Sequence, residues 1–277
     1  MRASARSQAQ LAVSADGEHW SLINASPDLR YQIESFPALH PRPSISRHSP
    51  IYSVVLTSAE VDAALGLLLL RESQPFHAYA TDAVRELLLT DNNMFAVLRR
   101  QPDQVRWHSI LPGGRFHPLP ATEEGLLTCA ALTTHGAFPG HISAERSKDL
   151  RQDEAVIGLI LQNGTRKAAF VPGAQDLSHE WLKQMEDCDV IFFDGTFWSD
   201  NELIDIQGGG KTAREMGHSP VSGVGGTLER FASLRKPRKI FIHINNTNPM
   251  LDEDSAEYAQ VREAGWELAF DGMELQL

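Results

Sequence analysis

A chain of 277 residues that is 42% hydrophobic can bury a large core, and no linker divides it, so one domain is expected over residues 1–277. The formal net charge of −11 leaves no basic footprint for a phosphate backbone and excludes nucleic acid as a partner. Two distant cysteines, Cys129 and Cys188, exclude a disulfide framework and a cysteine zinc knuckle, and read as reduced core residues.

The N-terminal MRASARSQAQLAV has no apolar signal-peptide core, so a cytoplasmic chain is expected. The longest apolar run, residues 63–70, is far short of the roughly 20 residues a membrane span needs. Residues 10–14 and 20–24 flank Asp16-Gly17, a hairpin signal. Asn24-Ala25-Ser26-Pro27-Asp28 then predicts a helix start, with Ser26 as N-cap and Pro27 in the first helical position. A buried strand is predicted over 51–56, a helix over 59–70, a strand over 76–80 and a helix over 81–90. Residues 107–110 and 127–132 read as strands, and 133–153 as a long polar loop carrying His135 and His141. Strands over 155–162 and 167–171 flank Asn163-Gly164, a second hairpin signal, and Ser178 caps a helix over 178–185. Residues 190–193 and 240–244 are apolar strands. The positive charges at 235–239 read as the lead-in to the second of them. This order fits two sheets with helices outside them.

Polar residues gather where apolar strands end. His243 is placed inside the strand 240–244, where a buried imidazole needs a partner, either a hydrogen bond or a metal. Asn245, Asn246, Thr247 and Asn248 follow it and suggest a site. Asp194, at the end of 190–193, can bind a metal or receive backbone N–H groups in a turn, and both readings stay open. Glu60 and Asp62 leave the strand 51–56 together, as ligands or as the acidic first turn of the next helix. His218 follows a glycine-rich stretch whose spacing fails the phosphate-loop pattern at Asp205. No Gly-x-Ser-x-Gly elbow supports a serine nucleophile.

Taken together, Asn24-Ala25-Ser26-Pro27-Asp28, residues 67–72 (LLLLRE), Phe193-Asp194-Gly195-Thr196, Met216-Gly217-His218, residues 243–249 (HINNTNP) and Phe270-Asp271-Gly272-Met273 resemble the pyrroloquinoline-quinone (PQQ) biosynthesis protein B family, PqqB. The resemblance implies an αββα metallo-β-lactamase sandwich with its site at the strand ends between the sheets. It also implies iron(II)- and dioxygen-dependent hydroxylation of the tyrosine ring in a Glu–Tyr cross-linked, peptide-derived precursor, alongside the other PQQ biosynthesis proteins. Asp62 and His243 fall on the family's metal positions and His218 on another of its polar positions. Asp194 and Glu60 are reserve carboxylates, and Asn245, Asn246 and Asn248 are expected to orient the ligands or the substrate. At two places the chain departs from the family. It starts beyond the family's N-terminal strand and Cys-x-Cys-x-x-Cys knuckle, so an unpaired sheet edge is expected and a structural zinc is not. It also has Asp62-Ala63 where the family has Asp-His, which implies weaker iron binding. The alternative is a non-catalytic carrier of PQQ or its precursor towards the periplasm, with a degenerate metal site. Two-metal hydrolysis ranks last, because Ser58, Glu60, Asp62 and Ala63 stand in place of the His-x-His-x-Asp-His motif.

Overall fold

The computed structural model describes residues 2–71, 74–175 and 177–277. Glu72, the last residue of the LLLLRE stretch, lies outside them.

The first half of the chain builds a five-stranded sheet. Strands β1 (Leu11–Val13) and β2 (Trp20–Ile23) form the antiparallel hairpin signalled by Asp16-Gly17. Helix α1 (Leu29–Ser35) follows, then β3 (Ile51–Val55), α2 (Val61–Ala64), β4 (Phe76–Ala80), α3 (Asp82–Leu89) and β5 (Val105–Ser109). The sheet order is β1-β2-β3-β4-β5, with the pairs from β2 to β5 parallel. The second half builds a seven-stranded sheet. It comprises β6 (Arg115–Phe116), β7 (Thr128–Thr133), α4 (Ala144–Lys148), β8 (Ile157–Asn163), β9 (Arg166–Val171), α5 (His179–Lys183), β10 (Val190–Asp194), α6 (Glu202–Gln207), α7 (Thr227–Arg230), β11 (Arg238–Ile242), α8 (Ala256–Glu263) and β12 (Trp266–Leu268). Its order is β12-β11-β10-β9-β8-β7-β6, parallel from β12 to β9 and antiparallel from β9 to β6.

Three apolar layers hold the stack together. Ile23, Val55 and Tyr79 of the first sheet meet Leu159, Phe170, Phe192 and Ile240 of the second in a central layer. Leu22, Val54 and Ala78, on the opposite face of the first sheet, pack against Leu29, Val84 and Leu87 of its helices. Phe193 and Phe241, on the outer face of the second, pack against Trp181, Phe231 and Val261. Helix, sheet, sheet, helix is the expected αββα order. The central strands therefore bury their apolar faces in these layers, and burial at about 25 cal/mol per Å² of apolar surface drives the assembly.

Local differences from the sequence reading have physical causes. The helix expected over 59–70 is α2 followed by a tight 3-10 stretch, Leu65–Leu70. Ala25 docks onto it by backbone, donating to Ala63 O (2.7 Å) and accepting from Gly66 N (2.8 Å). A Cβ at Gly66 would lie 2.2 Å from Ser26 O, so this approach requires glycine. Ser26 is not the N-cap of the helix; α1 starts at Leu29, and Ser26 Oγ instead accepts from Asp28 N (3.2 Å). The strand expected over 240–244 ends at Ile242, one residue before His243. Within the loop 133–153, residues Ala144–Lys148 form a short helix capped by Ser143. No helix among the described residues is long and apolar enough to cross a membrane.

Candidate metal centre

The site forms where β10, β11 and α2 come together at the ends of the two sheets. Strand β10 is buried along its whole length and delivers Asp194 into the interior at 0% exposure. Gly195 follows because a Cβ there would meet Met250 Cε at 2.9 Å and Phe241 Cβ at 3.0 Å. The chain then folds back, and Thr196 N donates to Asp194 Oδ1 (3.1 Å). Next in the sheet, β11 stops at Ile242, and His243 adopts a left-handed φ of 52°. A non-glycine residue held there costs of order 1–3 kcal/mol, which the surrounding contacts must offset.

Those contacts come from all sides. His243 Nε2 lies 2.7 Å from Asp62 Oδ2, and its Nδ1 lies 2.7 Å from Thr196 Oγ1 and 3.7 Å from Asp194 Oδ1. His218 reaches in from the segment after the short helix Arg214–Met216, with Nδ1 2.8 Å from Asp194 Oδ2. Its ring stacks on that of His243, centroids 5.5 Å apart. Gly217, at φ 88°, turns the chain just before His218, where a Cβ would meet Ala137 N at 2.9 Å. Asp62 enters from the first turn of α2.

Electrostatics follow from this geometry. Burial would raise the Asp194 carboxyl, but the charge and hydrogen bond of His218 and the charge of His243 outweigh it and hold the group well below the usual range. Burial would lower the His243 imidazole, yet the nearby carboxylate of Asp194 and the hydrogen-bonded carboxylate of Asp62 carry it up to about 10. Burial opposes Asp62 ionisation as well, and His243 again wins, lowering its pKa. Glu60 has no such partner, so burial, and then Asp62, push its carboxyl up.

Ligand atoms of Asp194, His218 and His243 lie within 4.8 Å of one another. Asp62 meets His243 on its other ring nitrogen, and imidazole nitrogen with carboxylate oxygen is a donor chemistry that fits a divalent first-row metal. A cavity of about 300 Å³ opens onto the group, lined by Glu60, Asp62, Ala63, His218 and His243 with the apolar Ala137, Val156 and Pro172. Ala63 thus faces the space where the sequence lacks an imidazole.

The remaining expected residues fall elsewhere. Asn248 is buried, with Nδ2 donating to Gly195 O (2.9 Å) and Oδ1 accepting from Met250 N (3.0 Å), so its side chain ties the β10 turn to the β11 turn. Asn245 Nδ2 donates to Thr247 Oγ1 (2.9 Å), and Asn246 is exposed. None of the three belongs to the cavity lining. His135 and His141 stay exposed in their loop.

Sequence reasoning passed over Thr196, Asn24 and Glu202. Asn24 Oδ1 accepts from Thr57 N and Oγ1 beside the cavity (2.9 and 3.0 Å). Buried Glu202 accepts from Trp198 N and Thr247 Oγ1, both at 2.5 Å, bracing the turn after His243. The Asp-Gly-Thr string after an apolar strand was the available signal for Thr196; nothing in the sequence marks Glu202.

Comparison with known proteins agrees with this architecture. The beta-lactamase superfamily domain model matches residues 19–244. Coenzyme PQQ synthesis protein B of Gluconacetobacter diazotrophicus is 44% identical, covering 99% of this chain and 88% of that protein. The protein of the same name from Xanthomonas campestris pv. campestris is 41% identical, covering 98% and 88%. The crystal structure of Zn(2+)-bound PqqB from Methylobacterium extorquens superposes with a TM-score of 0.90 at 37% identity, covering 100% of this chain and 89% of that one. A diphosphatase of the PhnP family, 18% identical with a TM-score of 0.61, covering 98% and 84%, shares the fold. With the fold and the similarity over nearly the full length in agreement, the chain belongs to the coenzyme PQQ synthesis protein B family of the beta-lactamase superfamily.

Proposed function

We propose that this chain serves PQQ biosynthesis as an iron(II)-dependent hydroxylase acting on the tyrosine ring of a Glu–Tyr cross-linked precursor. The observation that carries the reading is that Asp62, His218 and His243 line one open cavity of about 300 Å³, with Asp194 bonded behind His218. Asp62, His218 and His243 would hold the metal, with Asp194 behind the two imidazoles. Iron(II) bound there supplies the one-electron chemistry that lets dioxygen react with an aromatic ring. Each hydroxylation places one oxygen atom of dioxygen into a ring C–H bond, while an external small-molecule reductant provides two electrons and, with two protons, the other atom leaves as water.

The chain's own residues position and protect the reacting ring. Ala63, Ala137, Val156 and Pro172 give the cavity an apolar wall against which a phenol ring can lie and exclude water. Glu60 faces the same space, and its carboxylate can take the phenolic proton. Asp62 and Asp194 hold the two imidazoles in place.

A second reading has its own observation. Asp194 is already saturated by Thr196 and His218, and His243 is bridged between Asp62 and Thr196, so the group is a closed hydrogen-bonded set as it stands. With Ala63 in place of an imidazole, that arrangement suits a carrier of PQQ or its precursor. One experiment separates the two. The chain is loaded anaerobically with iron(II), freed of excess, then given dioxygen, reductant and a synthetic cross-linked precursor, and the product is weighed by mass spectrometry. Added oxygen in the parent, absent in His243→Ala, supports hydroxylation. Tight precursor binding with unchanged mass and no retained iron supports the carrier.

A further inference from the structure

We infer that the Thr196 hydroxyl fixes the tautomer of His243, so that Nε2 is the nitrogen left to face the cavity and a metal. This inference rests on the metal-centre reading above and assigns a positioning residue to it.

A threonine hydroxyl has one proton and two lone pairs. Two acceptors compete for that proton: Asp194 Oδ1 at 2.5 Å and the backbone carbonyl of His243 at 2.9 Å. The nearer, charged oxygen is favoured, because hydrogen bonds to a carboxylate are shorter and stronger than those to a neutral group. The outcome for His243 is the same in either case. Once the proton is spent, Thr196 Oγ1 can only accept from its third neighbour, His243 Nδ1, at 2.7 Å. Nδ1 therefore carries a hydrogen. In the metal-free chain Nε2–H donates to Asp62 Oδ2, 2.7 Å away; with Nδ1–H committed to Thr196, Nε2 is the nitrogen that exchanges its hydrogen for a metal.

The hydroxyl is itself held in place. Thr196 is 7% exposed; its N–H is tied to Asp194 Oδ1, and its carbonyl accepts from Asn245 N (3.1 Å). His218 Nδ1 also faces Oγ1, at 3.2 Å, but has the nearer acceptor Asp194 Oδ2 at 2.8 Å. One hydroxyl thus links the turn after β10 to the ring orientation of the residue after β11. Such supporting hydrogen bonds typically change metal affinity 10–100-fold when removed.

Zinc(II) is the probe for the test. In the zinc-loaded full chain carrying nitrogen-15 histidine, proton–nitrogen correlation NMR is expected to find His243 protonated at Nδ1 and metal-bound through Nε2. Thr196→Val, which keeps the shape but neither donates nor accepts, is expected to lower zinc affinity about 10–100-fold in chelator competition, while Thr196→Ser stays within about threefold of the parent. Metal bound through Nδ1 overturns the inference, and the parent alone decides this if the valine variant fails to fold. Equal affinity in parent and Thr196→Val also overturns it, as does an equal loss in Thr196→Ser, which would trace the effect to packing. A parent that binds no zinc overturns the metal centre itself, and this role with it.

Discussion

His243 Nε2 and Asp62 Oδ2 are 2.7 Å apart although 181 residues separate them in the chain, and their contact joins the end of β11 in one sheet to the helix that follows β3 in the other. The two sheets are thus pinned across the mouth of the cavity by a charge-assisted hydrogen bond. Asp62→Asn keeps the shape and removes the charge. It is expected to destabilise the metal-free chain by about 1.5–3 kcal/mol, the usual range for a hydrogen bond to a charged group. It should also weaken divalent-metal binding. Urea unfolding with chelator present and a zinc competition titration measure the two effects. A variant as stable as the parent would show that the contact does not pin the sheets.

The same pair makes metal-free stability depend on pH, with a definite sign. The pKa of His243 is raised to about 10 in the fold. Its stabilisation is therefore complete below the ordinary imidazole value near ~6.5 and is lost as pH rises towards that folded value. Asp62 and Asp194 are depressed, so their contribution is present above about 3.9 and is lost on acidification. The metal-free chain should be most stable from roughly pH 4 to 6.5 and lose on the order of 1 kcal/mol per pH unit above it. Unfolding free energies across this range test it: a flat alkaline limb, or the same slope in His243→Gln, would remove the assignment.

Gly66 is where the matrix of the site is most sensitive to one added atom. A Cβ there would lie 2.2 Å from Ser26 O and 2.8 Å from Ala25 C, both backbone atoms that cannot swing away. Gly66→Ala is expected to cost about 1–3 kcal/mol or more by overpacking. Because Ala25 is bonded to both Ala63 and Gly66, the shift should pass into α2 and loosen Asp62. A lowered melting temperature with weaker zinc binding is the expected pair of results. Unchanged zinc affinity in a destabilised variant would break the proposed link to the site.

These residues also show what the sequence could and could not reveal. Strand β4 falls on residues 76–80 as expected, and both glycine-marked hairpins form, because period-two patterns and turn residues act locally. The break in the 59–70 helix depends on Ala25 arriving from elsewhere in the chain, and no local pattern encodes that. Asp62, Asp194 and His243 read as polar residues at strand ends and His218 as a candidate after a glycine-rich stretch, with family resemblance linking Asp62, His218 and His243. The placement of His243 inside its strand was wrong by one residue, since apolar periodicity carries no sign of a left-handed φ. Asn248 read as a substrate contact because asparagines near a site resemble ligands, yet its side chain is spent on backbone groups. Thr196 and Glu202 act through distances that only the folded chain sets.

Ala63 offers the sharpest test of how much metal affinity the chain has forgone. Its side chain is 4% exposed and lines the cavity beside Asp62 and His243. An imidazole placed there would enter a space of about 300 Å³ that is already bounded by two metal-ligating types of group. The cost of the larger side chain, about 1–3 kcal/mol where it strains its neighbours, falls on stability. The gain falls on binding: a further metal–nitrogen bond worth about 1.4 kcal/mol net raises affinity tenfold. Ala63→His is therefore expected to bind zinc and iron(II) at least about tenfold more tightly than the parent, with a lower melting temperature when metal-free. Unchanged affinity in a folded Ala63→His variant would mean that position 63 does not face the metal. A large gain over a parent that retains no metal would assign the natural chain to the carrier role, with its centre reduced to a hydrogen-bonded brace.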